Sequence, residues 1–367
     1  MDPDLDTEQR LLRDAIRGEL QRLAPPAQLR EWWDAHDFDA FVSKVAGLGW
    51  GGIGIPEELG GQGGGLIEQA VLFEELGRAA APSSRILATS VTGALLGGIA
   101  SLPDGARVVV DGSRPATVAV SADHPCDRPP GLRLDAGQRS LHGTVASVLD
   151  VTDAQVVIAV VDQDETRSVV AVDADAPGVE SRPRYLIDRS RLLGDLELDG
   201  AAATTWGELR PGTMETVAAR TAVLVAAESL GAARRMLEMT VDYVGQREQF
   251  GVPVGSFQAV KHAAAQAHVD IEATAAGVYY AAWAVEQGTA TGHVAAWIAK
   301  VYAGETAARV ADVGLKLHGA IAYTWEYDLQ FLYKRAKVNQ LLFGATATYR
   351  DRIADSLALV RSNNAGS

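Results

Sequence analysis

Three textures succeed one another along the chain. Over the first hundred residues apolar positions recur at helical spacing: Thr7-Glu8-Gln9-Arg10 is a polar start ahead of Leu11, Leu12, Ile16 and Leu20, and Phe41 to Leu48 forms a second short helix that stops at Gly49. Gly49 to Gly65 holds too many glycines for a regular element, and Leu66 to Arg78 returns to a helical pattern. From Val108 the pattern changes to short β-branched runs broken by Gly, Asp and Pro: Val108-Val109-Val110, Thr117 to Val120, Gln155 to Val161 and Ser168 to Val172. Helical texture resumes at Trp206. Glu215 to Val244 has no proline and one glycine, which predicts a mostly buried helix, and Phe257 to Trp283 and His293 to Val313 predict two more. The expected fold is mainly α with a central β domain: helices over residues 1–105, β structure over 106–205 and a helical bundle over 206–367.

Composition narrows the function. A chain of 367 residues with a formal net charge of −14 and no run of Lys or Arg is poorly suited to nucleic acid or an anionic membrane. The acidic start Met1-Asp2-Pro3-Asp4 leads into no apolar signal core, and no uninterrupted apolar stretch reads as a membrane span, so a cytoplasmic location is expected. Cys126 is the single cysteine, which excludes a disulfide frame and a cysteine metal site; with His124 and Pro125 beside it, it reads as loop.

Candidate chemistry concentrates in the corner Arg247-Glu248-Gln249-Phe250-Gly251-Val252-Pro253-Val254-Gly255-Ser256-Phe257-Gln258. Gly251 and Pro253 stop the preceding helix, and the next begins at once, so this is a tight turn between antiparallel helices. An Arg fork offers paired donors to a phosphate, while Phe and the amide of Gln suit a flat heteroaromatic ring, a combination that points to a dinucleotide. A structural alternative is that Arg247 caps the helix and Phe250 plugs the core. Elsewhere, Glu305 and Arg309 read as an exposed pair one turn apart, His318 as a packed or capping histidine, and Glu228 as a partner of Arg234 or Arg235 or a cap on a buried polar contact.

The order Arg-x-Gln-Phe-Gly-x-Pro-Val-x-x-Phe-Gln closely resembles a signature of the acyl-CoA dehydrogenase family. Gly49-Trp50, Pro56-Glu57-Glu58 and Gly60-Gly61-Gln62-Gly63 resemble a second, and Leu317-His318-Gly319-Ala320 with Tyr323 a third, with Lys316 where the family has Gln. The resemblance implies an N-terminal helical domain, a β-barrel or sandwich middle domain and a C-terminal four-helix bundle. It also implies that Arg247, Gln249, Phe250, Phe257, Gln258 and Val260, with Lys316, Gly319 and Ala320, contact an FAD seated in the neighbouring subunit.

The same resemblance exposes what is lacking. Desaturating an acyl thioester needs a carboxylate for the α proton and a flavin for the β hydride. Counted from Lys334-Arg335-Ala336-Lys337, the family's usual base position is Phe343; the alternative position on the earlier helix, in register with Gly231 and Arg247, is Thr221. Glu215 and Glu228 lie about two turns to either side of Thr221, some 9 to 10 Å along the axis at about 1.5 Å per residue. In the segments that hold the flavin ring in the family, here Val118 to Pro125 and Gly143 to Ala154, the stacking aromatic becomes Ser147 and the hydroxyl Leu149. The one-sided loss resembles the degenerate subunit of heterotetrameric (α2β2) acyl-CoA dehydrogenases of actinobacterial steroid and cholesterol catabolism. The leading expectation is therefore a non-catalytic subunit with no metal, completing the nucleotide half of the FAD site of a homologous subunit that bears the catalytic Glu and takes the acyl-CoA. Two alternatives stay open: a self-sufficient flavoenzyme with Glu215 or Glu228 recruited as base, acting on acyl-CoA or carrier-bound acyl groups, and a cofactor-free scaffold.

Overall fold

The structure is a computed structural model describing residues 5–106, 109, 113–135, 137, 139–163 and 166–357. Among the described residues, the first named helices are α1 (Thr7–Leu23), α2 (Pro26–Ala35), α3 (Asp39–Gly47), α4 (Leu66–Arg78) and α5 (Ser84–Leu96). A capping box starts α1, in which the Asp6 carboxylate accepts from the Gln9 N–H at 2.9 Å and the Gln9 amide oxygen accepts from the Asp6 N–H at 3.1 Å. The α2 helix is hidden in sequence behind Pro25-Pro26, yet proline at the first helical position is compatible with a helix start, and Trp32 and Trp33 bury its inner face.

Eight strands follow, β1 (Ala116–Val118), β2 (Arg133–Asp135), β3 (Ser140–Leu149), β4 (Val156–Gln163), β5 (Thr166–Asp173), β6 (Val179–Arg184), β7 (Leu193–Ala202) and β8 (Thr204–Glu208). They form two four-stranded sheets, β1-β4-β5-β8 and β2-β3-β7-β6, with β1 and β4 parallel and the other pairs antiparallel. Val157, Ala159, Val161, Val170 and Val172 meet Leu141, Val145, Leu196 and Leu198 in a core between the sheets. The opposite face of the first sheet, with Ile158, Val160 and Val169, joins the helical core. Burial on both faces explains why β4 and β5 read as unbroken apolar runs. The expected run at Val108–Val110 is not testable as a strand, since Val108 and Val110 lie outside the described residues.

The remaining helices are α6 (Thr213–Gln246), α7 (Gln258–Glu286), α8 (Gly292–His318), α9 (Leu329–Leu341) and α10 (Thr346–Ser356). Helix α6 is the axis of the molecule, touching α4, α5, α7, α8 and α9. Gly77 and Gly231 let α4 and α6 meet backbone to backbone: a Cβ at Gly231 would stand 1.7 Å from the Glu74 carbonyl oxygen, and one at Gly77 1.9 Å from that of Glu228. Contrary to the sequence expectation, α6 is long and apolar enough to cross a membrane, but 89% of its apolar window is buried inside the protein, which makes it a core helix.

Candidate functional site

The corner after α6 is a miniature hairpin. Arg247 occupies the C-cap, Glu248–Gln249 pairs antiparallel with Val252–Pro253, and the Val254 N–H closes onto the Arg247 carbonyl at 2.7 Å. Both central turn residues, Phe250 (φ 55) and Gly251 (φ 81), have positive φ, as a type I′ turn requires. Phe250 is 94% exposed and meets the half-covered Phe257 edge to face at 6.3 Å, so it does not plug the core. Gln249 folds its amide onto the Glu248 carbonyl, whereas Arg247, Gln258 and Lys316 are exposed and make no side-chain hydrogen bond or ion pair among the described residues. Phe257 starts α7 without a side-chain cap, so the first N–H groups of a 29-residue helix face the same corner. Val260 is turned inward and 9% exposed, which leaves its neighbours as the presented surface.

The second group of expected contacts lies at the end of α8. Lys316, Gly319 and Ala320 are exposed; Gly319 takes φ 67 and breaks the helix into a 3-10 turn. His318 between them is buried and stacks on Tyr243 of α6 at 4.5 Å, so the ends of α6 and α8 stand side by side. The carbonyl ends of two helices repel an anion, whereas Arg247, Lys316 and the open start of α7 are the groups of this corner with the charge or N–H donors to attract one.

The two base positions come together as well, in a closed core. The Phe343 N–H donates to the Ala122 carbonyl at 2.6 Å, the Phe343 carbonyl accepts from the Tyr349 hydroxyl at 2.7 Å, and Phe343 is 1% exposed. Thr221 donates to the Val217 carbonyl at 2.8 Å and lies 3.7 Å from the Cys126 sulfur, whose thiol burial pushes up to about 12. Gly344 rests on Pro125, and Arg352 pairs with Asp127 at 2.6 Å. The segments that would hold a flavin ring thus dock directly on the segments that would hold the base. Ser147 is buried with its N–H on Asp195 (3.0 Å) and its hydroxyl accepting from Arg184 (3.0 Å), and Leu149 is buried too. For a flavin ring of this chain's own, these two positions offer neither a stacking aromatic nor a free hydroxyl, since Ser147 is already bonded and Leu149 is apolar.

Beyond the base positions lies a buried ion cluster that sequence reasoning missed. Glu228, seven residues after Thr221 on α6, accepts from Arg335 (2.7 Å), Asn339 (2.9 Å), Ser83 and Arg191. Arg335 also binds Asp188 (2.5 Å) and Ser190 (2.6 Å), and every member is buried. Burial alone would raise the Glu228 carboxyl, but Arg191 and Arg335, with Ser83 and Asn339, outweigh it and hold the group below the usual range. Arg191 is drawn down, by burial first and by its neighbour Arg335 as well. The expected pairing of Glu228 with Arg234 or Arg235 is therefore incorrect: Arg234 pairs with Glu74 (3.1 Å) and Glu272 (2.8 Å), and Arg235 with Glu238 (3.4 Å). The one signal available was Arg335 itself, a guanidinium on the inward face of α9.

Other expectations resolve individually. Glu305 and Arg309 do not pair; Glu305 binds Arg350 (2.7 Å) and Arg309 binds Asp270 (2.9 Å), partners on adjacent helices that one-helix spacing cannot reveal. Glu215 is exposed in the first turn of α6. A Ser140-His142-Asp199 row on β3 and β7 looks like a hydrolytic triad. However, the Gly200 N–H donates to His142 Nδ1 (3.1 Å), which leaves the ring proton on Nε2, so the ring donates to Ser140 (3.3 Å) instead of accepting its proton.

Helices, a central pair of sheets and a bundle around one long axial helix make up the acyl-CoA dehydrogenase fold. The N-terminal domain of acyl-CoA dehydrogenases matches residues 6–101 and their C-terminal domain residues 212–358. The IpdE2 acyl-CoA dehydrogenase of Mycobacterium tuberculosis is 31% identical over 90% of this chain and 91% of its own length, and that of Mycolicibacterium smegmatis is 29% identical over 93% and 96%. The chain belongs to the acyl-CoA dehydrogenase family. Among solved structures, the Tcur3481-Tcur3483 steroid ACAD variant superposes with a TM-score of 0.84 at 30% identity, covering 96% of this chain and 98% of that one. The ChsE4-ChsE5 complex of Mycobacterium tuberculosis shares the fold, with a TM-score of 0.85 at 24% identity over 99% and 100% of the two chains.

Proposed function

We propose that this chain is the non-catalytic subunit of an FAD-dependent acyl-CoA dehydrogenase that desaturates a steroid side-chain CoA thioester. Its Arg247 corner completes the nucleotide half of a flavin held by a homologous subunit bearing the catalytic Glu, in an α2β2 assembly. The observation that carries this reading is the contrast between the two regions: Phe343 and Thr221 are sealed into a core, while Phe250 is 94% exposed and Arg247 and Lys316 are presented outward with no side-chain hydrogen bond or ion pair among the described residues. The steroid assignment is supported by the likeness to the Tcur3481-Tcur3483 steroid ACAD. A relocated base is disfavoured by geometry, since both Glu228 oxygens are occupied by guanidiniums and Glu215 faces solvent at a helix start.

Co-expression with a base-bearing homologue tests the reading. The expected outcome is a heteromer with about one FAD for each pair of unlike chains, from which Arg247→Ala removes flavin on dialysis because a charge-assisted phosphate contact worth roughly 2 kcal/mol is lost. Full flavin loading and dehydrogenation by this chain alone would overturn it.

A further inference from the structure

The two groups of residues assigned above to the partner's nucleotide belong to different helices. Arg247, Gln249 and Phe250 follow the end of α6; Lys316, Gly319 and Ala320 end α8. Two such groups bind one ligand together most tightly when the spacing of their helices is already set, because no ordering is then left to be done on binding. The contact between the helix ends at this point is a ring stack. The imidazole of His318 lies 4.5 Å from the Tyr243 ring at an interplanar angle of 22°, and 5.0 Å from Tyr327. Each stacked ring is tied to its own group: the Tyr243 carbonyl accepts the Arg247 N–H at 2.8 Å, and His318 immediately precedes Gly319.

The imidazole also carries polar constraints that packing alone does not need. Its Nδ1 lies 2.7 Å from the Gly314 carbonyl oxygen, and the Met239 carbonyl also acts on the buried ring. A leucine would fill similar space without any polar atom to satisfy. Burial lowers the ring's proton affinity against the opposing pull of the Gly314 and Met239 carbonyls, so the ring is neutral at physiological pH and acts by shape and contact, not by charge.

We propose that His318 is a positioning residue: by stacking on Tyr243 it sets the separation of the Arg247 corner and the Gly319 turn, so that both engage one flavin nucleotide on the partner chain. This rests on the reading of the corner as half of a shared FAD site, and the experiment separates the two. FAD is titrated into the flavin-stripped heteromer, with native mass and melting temperature followed in parallel. His318→Leu is expected to raise the FAD dissociation constant about tenfold with assembly intact, the scale of one aromatic pair. His318→Phe, which keeps a ring against Tyr243, is expected to stay within about threefold of wild type. Tyr243→Leu should match His318→Leu, and the double variant should be no weaker than either, because one contact is removed only once. Should His318→Leu fail to assemble, His318→Gln replaces it, keeping a hydrogen-bonding group while removing the ring. Wild-type affinity in the ring-less variant, or equal loss in His318→Phe, overturns the proposal. If Arg247→Ala also binds FAD normally, the shared-site reading itself falls; if Arg247→Ala loses FAD and the ring-less variant does not, only the positioning role falls.

Discussion

Phe250 is held in left-handed backbone space with nearly all of its surface in water, a combination that packing does not reward. Asparagine is at home in that conformation, so Phe250→Asn is expected to raise the unfolding free energy of the isolated chain by about 1 kcal/mol. If the proposed heteromer forms, the same variant should lower its flavin retention, and urea titration beside flavin absorbance reads both effects; a variant neutral in both would remove the functional explanation of the strain. Lys300 poses a different problem. Its ammonium is buried on the carbonyls of Asn339 (3.0 Å) and Gly344 (3.3 Å), and burial lowers its pKa from 10.5 to about 7. Because the unfolded chain keeps that proton to higher pH than the folded one, stability falls as pH drops from about 10 to 7 and rises in the reverse direction. Urea midpoints at pH 7 and pH 9 should show this slope in the wild type and lose it in Lys300→Met. Neither residue's environment was legible beforehand: Phe250 was read equally well as a core plug, and Lys300 sits in an alanine-rich run that gives no hint of the α9 carbonyls above it.

Among the elements, legibility followed burial pattern. Strands β4 and β5, buried on two faces, stood out as apolar runs, whereas β6 (Val-Glu-Ser-Arg-Pro-Arg) is almost wholly exposed and carries no such mark. The end of α6 and the corner after it were readable because glycine, proline and a motif coincide there. The contacts of α6 with α9 were not, since Glu228 and Arg335 are 107 residues apart and only tertiary packing joins them. Those contacts make a sharp prediction. Glu228→Ala leaves two guanidiniums buried without their shared carboxylate and should destabilise the chain by roughly 3–5 kcal/mol. Glu305→Ala, which breaks a surface pair with Arg350, should cost about 1 kcal/mol or less, and thermal unfolding of the two variants compares them directly. Phe343→Glu should not create a dehydrogenase. It places a carboxylate at a side-chain position that is 1% exposed, so the expected result is a lower melting temperature with no flavin-dependent turnover.

At the level of the whole molecule, the order of helical, β and helical parts could be read from texture alone. The direct docking of the 121–127 segment on the 343–344 turn could not, because it depends on Ala122 and Pro125 meeting Phe343 and Gly344 across more than two hundred residues of sequence. The ion cluster has a consequence of its own at this scale. Asp188 and Arg191 come from the connection between β6 and β7, and Glu228 and Arg335 come from the bundle, so these two parts supply charges that neutralise each other, while Ser83, which leads into α5, adds a hydroxyl to the same cluster. Separating the β part from the bundle would strand ions in a nonpolar medium. Calorimetry should therefore record one melting endotherm whose van't Hoff and calorimetric enthalpies agree, and excised fragments corresponding to the individual parts should remain unstructured.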